Sequence, residues 1–248
     1  MNPVDAIIAT AIASMVYAIW VRRHTVGSHI EWPLTLSVLL CVAGIALVSP
    51  HAVPVVGTPL HALTGVWHLD TYAGDLCLLS SQISALYALL GSLFADEDRK
   101  TWMRYWIEPV AIVAMPQLAV CMILTKALRD GTPNILDATP DGWLTGYWLV
   151  VCVAMTYIWL AGLRALWVLR RDRQSRPIAN AYIAAASCGV AACVLQMIWV
   201  FTGWQPLGHG IITWLLLCSA SVGTCLTAAW SWRRKEQRLR GKRPALRS

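Results

Sequence analysis

Between Gly65 and Gln82 the chain reads GVWHLDTYAGDLCLLSSQ, placing His68, Asp70, Tyr72, Asp75, Ser81 and Gln82 in an otherwise apolar neighbourhood. Imidazole and carboxylate are the groups that exchange protons, ligate metals and activate water or a hydroxyl. In helical register Asp70, Gly74, Cys77, Ser81 and Ser84 follow one stripe, and His68, Tyr72, Asp75, Leu79 and Gln82 the adjacent one. His68, Asp70, Tyr72, Asp75 and Gln82 are therefore the expected ligand-binding residues. His51, His61 and His209 fall toward the same side, but no HExxH or HxxxH pairing accompanies them, so no metal centre is expected.

Depth decides how wet these groups are. Counted back from Phe94, Asp75 lies about 28 Å along a helix, at the far edge of a hydrocarbon core about 30 Å thick. Asp70 follows about 7.5 Å farther out. A carboxylate at the centre of a span costs about 2.5–3.5 kcal/mol on insertion scales, and this placement avoids much of that. The expectation is an outward-facing polar vestibule, with His68 and Asp70 at a solvated rim and Asp75 nearest the hydrocarbon.

The elements that must position these residues are apolar spans. Of the 248 residues, 57% are hydrophobic and 13% charged, and the mean hydropathy is +0.55. Those proportions point to an integral membrane protein. Seven runs approach the length of a spanning helix: Pro3 to Val21, Pro33 to Val48, Trp67 to Phe94, Trp106 to Thr125, Trp143 to Leu169, Ile178 to Gly203 and Gly210 to Trp232. The expected fold is all-α, a seven-helix transmembrane domain over 1–232 with a basic tail at 233–248. Prolines in SPHAVPVVGTP argue against regular helix after the second run.

Of the 20 Lys and Arg residues, all but Lys126, Arg129 and Arg164 fall on one side of this map. The positive-inside rule puts that side in the cytoplasm, the amino terminus outside and the chain in the inner (plasma) membrane as a multi-pass protein. Because the first positive charges follow the first apolar run, that run is expected to be an anchor rather than a cleaved leader. The tail RRKEQRLRGKRPALRS reads as a topology determinant in contact with anionic lipid, not as a nucleic-acid surface. The 14 tryptophans gather at the ends of the runs, as interfacial belts do.

Small residues suggest how the bundle packs. Ala181, Ala185, Gly189 and Cys193 recur at four-residue spacing in the sixth run, and Ser219, Gly223 and Thr227 in the seventh. The same chemistry would serve a homo-oligomer or a membrane-protein partner. Pro116 lies mid-span beside Gln117, which is expected to cover a freed polar group at a kink. Glu108 and Arg164 are the expected inner ion pair. The 8 cysteines all fall within the apolar runs, with no disulfide framework or CxxC pair expected.

This layout, with a short exported amino end, RRDRQSRP before the sixth run and a basic tail, together with YAGDLCLLSSQ and GLRALWVLRR, resembles a group of actinobacterial seven-helix membrane proteins. An actinobacterial or actinobacteriophage source is what the resemblance implies, and the abundance of Arg and Trp suits a GC-rich genome. Longer members of that group carry a cytoplasmic carboxy-terminal domain, which this chain is expected to lack, and are labelled as transporters. The resemblance thus implies transport, without assigning a ligand residue. Three functions stay open: a small-solute transporter or ligand-binding membrane protein; a non-transport sensor, assembly or phage-exclusion protein; and a membrane-embedded hydrolase using His68, Asp70, Asp75 or Ser81. An enzyme is not the favoured reading. The seventh run has no lysine for a retinal Schiff base and no histidine pair lies deep enough to ligate haem, so no cofactor is expected.

Overall fold

Proline marks where many of the helices begin. Pro33, Pro54, Pro59, Pro109 and Pro177 each occupy the first turn of a helical segment, where the missing N–H has no partner to lose. A computed structural model describes residues 3–25, 27–28, 31–127, 135, 138–139, 141–203 and 209–242, with side chains except those of 209 and 238–242. Arg129, Trp204, the side chain of His209 and the basic side chains from Arg238 onward lie outside the described set.

All regular structure among the described residues is helical. In chain order the helices are α1 (Pro3–Arg22), α2 (Trp32–Val48), α3 (Thr58–Thr64), α4 (Leu69–Leu90), α5 (Asp96–Trp106), α6 (Glu108–Leu124), α7 (Gly142–Leu169), α8 (Arg176–Thr202) and α9 (His209–Lys242). Six helical stretches are long and apolar enough to cross a membrane, or seven if α2 and the segment after it count as one broken span. Outward faces are apolar, with Ile112, Val153, Leu160 and Phe201 all exposed. That pattern suits a multi-pass protein surrounded by lipid.

Two boundaries are sharpened here. The proline-rich stretch after the second run interrupts the regular helix, as expected, and a π-helical turn at Val53–Gly57 then leads into α3. Helix resumes because Pro54 and Pro59 lie in first turns. The chain bends by 86° between α2 and this segment. In addition, α9 continues past Trp232 to Lys242, so the basic residues that follow the apolar run begin on the same helix.

The helices close a ring. Neighbours in order are α1, α2, α4, α6, α7, α8 and α9, which returns to α1, while α4 also packs across on α7. The stripes in α8 and α9 meet inside the chain, since a Cβ added at Gly223 would lie 2.9 Å from the Ala185 Cβ. Ser219 faces outward instead. Helix α6 runs on through Pro116; Gln117, expected to cover a freed backbone group, is exposed and its side chain makes no hydrogen bond among the described residues.

The α2–α4 interface is the most extensive, and glycine sets its distance. A Cβ at Gly74 would stand 3.0 Å from both the Gly44 carbonyl oxygen and the Val48 nitrogen, and 2.6 Å from Val48 Cγ2. Backbone atoms cannot yield as a side-chain tip can. Gly74→Ala is expected to push the helices apart and destabilise the fold by at least about 1 kcal/mol, read as a lower unfolding midpoint in detergent. Gly162→Ala is the control: no atom lies within 4 Å of its added Cβ, so it is expected to be neutral or slightly stabilising. Equal midpoints for the two variants would contradict the close approach.

Candidate functional site

Helix α4 carries all five residues singled out as ligand-binding, but not in a wet rim. His68, Asp70, Asp75 and Gln82 are buried, and Tyr72 is half-buried. The correction has a physical cause. The segment after the break in α2 packs on α4, and its Gly57 sits over the Asp70 carboxylate. A Cβ there would come within 3.1 Å of Asp70 Oδ1. His68 precedes the helix with φ of 61°, a left-handed turn that histidine tolerates better than most side chains.

The two carboxylates have different surroundings. Asp75 accepts a hydrogen bond from Tyr147 Oη of α7 at 2.5 Å, and Tyr147 is itself fully buried. Neither oxygen of Asp70 has a hydrogen-bond partner among the described residues. Tyr72 Oη donates to the Met115 carbonyl at 3.3 Å, joining α4 to α6. Among the other histidines, His51 pairs with Asp5 at 3.2 Å and His61 stacks on Trp67. No group of three His, Cys, Asp or Glu side chains among the described residues is arranged to hold a metal, and all eight cysteines are free.

The open space lies elsewhere. A cavity of about 550 Å³ is enclosed by α4, α7, α8 and α9. Its mouth, at exposed Gly91, Ser92, Gln174 and Lys235, is at the end of the bundle where the basic residues concentrate. Buried Gln82, Ile158 and Ala186 line its interior. Gln82 lies about 13 Å along α4 from Gly91, roughly halfway through a hydrocarbon core of about 30 Å. The expected vestibule at the amino end of α4 is thus replaced by a chamber entered from the basic end. Of the five expected residues only Gln82 lines it; Asp75 lies two helical turns beyond on the same face.

Arg99, Arg234 and Lys235 line this chamber together with Glu31. Glu31 is engaged, accepting from Lys235 Nζ at 2.5 Å and from Arg22 Nη2 at 3.1 Å. Burial pushes the Glu31 carboxyl up, but Lys235 and Arg22 outweigh it and hold the group below the usual carboxylate range. The Arg234 guanidinium lies 4.7 Å from the Trp230 ring centroid, and that of Arg99 is 4.1 Å from the Tyr87 centroid. Arg99 also bonds Asp96 at 2.8 Å, while its buried Nε has no partner among the described residues.

The expected inner ion pair is not formed. Glu108 and Arg164 are both exposed, and neither belongs to an ion pair among the described residues. They occupy outward faces of α6 and α7, where each head can reach solvent or headgroups more cheaply than it can be buried. From the sequence Arg99 is a topology charge, and Arg234 and Lys235 belong to a tail expected to set topology and contact anionic lipid; nothing in the pattern marks Trp159, Gly162 and Tyr182, which also line the chamber. Nor does it mark Gln196, 2% exposed, whose amide atoms lack partners among the described residues. Compared with protein-family models, with curated proteins and with solved structures, the chain matches none, so the reading of the site rests on its own geometry.

Proposed function

We propose that this chain is a small-solute transporter or ligand-binding membrane protein whose ligand occupies the chamber between α4, α7, α8 and α9. The basic end faces the cytoplasm in this reading, the amino terminus is outside, and the host membrane is the inner (plasma) membrane. The observation that carries the proposal is the chamber itself, about 550 Å³ and extending from the basic end to Gln82. Its volume falls in the range of small-molecule sites. Its walls mix leucine, isoleucine and tryptophan with a few polar groups, Gln82, Tyr182 and Thr224.

Gly162 provides a test that leaves the packing alone. It lines the chamber, and its missing side chain faces open space. Gly162→Trp is expected to fill the site, whereas Gly162→Ala is expected to leave it usable. Native mass spectrometry of gently purified protein should show small-molecule or lipid adducts on the wild type and Gly162→Ala, and their loss from Gly162→Trp. Identical adducts on all three would remove the chamber as the site. Once a ligand is identified, uptake into proteoliposomes distinguishes a carrier from a sensor that only binds.

A further inference from the structure

We propose that the ligand of this chamber is an organic anion with an apolar body, its carboxylate or phosphate at the mouth and its hydrocarbon portion among the buried side chains. This rests on the chamber being a ligand site, as argued above. Three cations, Arg99, Arg234 and Lys235, line the chamber against one carboxylate, Glu31. That carboxylate is held by Lys235 and by Arg22, and Arg22 is buried behind it. Arg234 has no ion-pair partner among the described residues, resting instead on the face of Trp230. Arg99 is paired with Asp96 at 2.8 Å, so the uncompensated charge at the mouth is that of Arg234, whose planar guanidinium fork suits carboxylate and phosphate.

Behind the mouth the chemistry changes. Leu86, Ile158, Leu166 and Ile178 form an apolar wall, suited to a hydrocarbon chain or ring. Among these side chains Gln82 and the Tyr182 hydroxyl offer hydrogen bonds, and Tyr182 Oη is buried without a partner among the described residues. The amino end of α8 also reaches the mouth through Gln174 and Ser175. Asp172 already accepts from both of their backbone N–H groups at 3.2 and 3.0 Å, so the Arg234 guanidinium, not the helix end, carries the attraction. A cationic or neutral amphiphile would leave Arg234 uncompensated.

An anionic amphiphile of this kind is either a soluble metabolite or a lipid from the adjoining leaflet. Both present the same chemistry, so the experiment must separate them. The protein in phosphatidylcholine nanodiscs is titrated with decyl phosphate, decanol and decyltrimethylammonium, with thermal unfolding as the readout. Decyl phosphate is expected to raise the midpoint saturably, with no saturable shift from the other two. Arg234→Gln is expected to weaken the effect about tenfold, and Arg234→Lys to retain most of it, which separates charge from packing. Discs doped with phosphatidic acid that abolish the decyl phosphate shift support a lipid source; an undiminished shift supports a soluble anion.

Equal shifts from decanol, or an Arg234→Gln variant that responds as the wild type does, would overturn the anionic assignment. Gly162→Trp separates that failure from failure of the site. If decanol binds and Gly162→Trp stops it, the chamber stands and the charge preference falls. If decyl phosphate still binds to Gly162→Trp, both fall.

Discussion

Arg22→Met is expected to cost about 3–5 kcal/mol of stability, the range for breaking a buried charge pair from one side. Arg22 has no exposed surface. Its Nη1 donates to the Ala228 carbonyl at 2.9 Å, its Nε to Thr35 Oγ1 at 3.3 Å, and its Nη2 to the Glu31 backbone and side chain at 3.3 and 3.1 Å. One guanidinium thus fastens the end of α1 to the start of α2 and to α9. Lysine cannot reproduce this, because an ammonium lacks the planar fork, so Arg22→Lys is expected to recover only a small part. Denaturant unfolding in mild detergent measures both variants, and wild-type midpoints would contradict the clamp.

Acid should weaken the same clamp. The folded-state pKa of Glu31 lies below its ordinary value, with burial opposing and Lys235 and Arg22 prevailing. Its contribution to stability is therefore full above the ordinary carboxylate range and is lost as pH falls through the lowered folded value. Glu31→Gln is expected to flatten that part of the stability profile.

Tyr147→Phe is expected to cost about 3 kcal/mol, because it removes the hydroxyl that donates to Asp75 inside the bundle. A buried carboxyl group deprived of its partner bears its desolvation cost, about 1–3 kcal/mol and more when charged. Asp75→Asn is expected to be mild, since its amide oxygen can accept the same bond. The diagnostic is non-additivity: in an Asp75→Leu background, Tyr147→Phe is expected to cost less than about 1 kcal/mol. Full additivity would mean that the 2.5 Å contact contributes nothing. Uptake or binding measured on Asp75→Asn then asks separately whether this pair has a role beyond holding α4 to α7.

The long apolar runs were legible because span length and hydropathy are properties of contiguous residues; α7 and α8 follow the runs within a few positions. The solvated rim expected at the start of α4 was inferred from position along the helix alone, and His68 and Asp70 are buried. A rise per residue measures position along an axis and says nothing of lateral cover, and here the cover comes from Gly57 on a separate segment. The stretch around Pro54 is irregular as expected, a π-helical turn set off from α2 by a bend of 86°; what the prolines hid is that Pro54 and Pro59 stand in first turns, where helix can resume. The chamber was least accessible to sequence reasoning. Glu31, Arg99, Tyr182 and Arg234 are far apart in the chain and share a wall only after the ring has formed. Gln82 was found because it shares a helical face with Asp75, which is local information.

The buried position of Arg22 bears on how the protein is made. A nascent chain emerges amino end first, so the guanidinium that ends α1 reaches the bilayer long before its acceptor on α9, the Ala228 carbonyl. Until α9 arrives, that charge must stay at the headgroups or pair within the early hairpin through Glu31 and Thr35. Assembly therefore includes a latch: α9 seals a charge that reached the bilayer well before it.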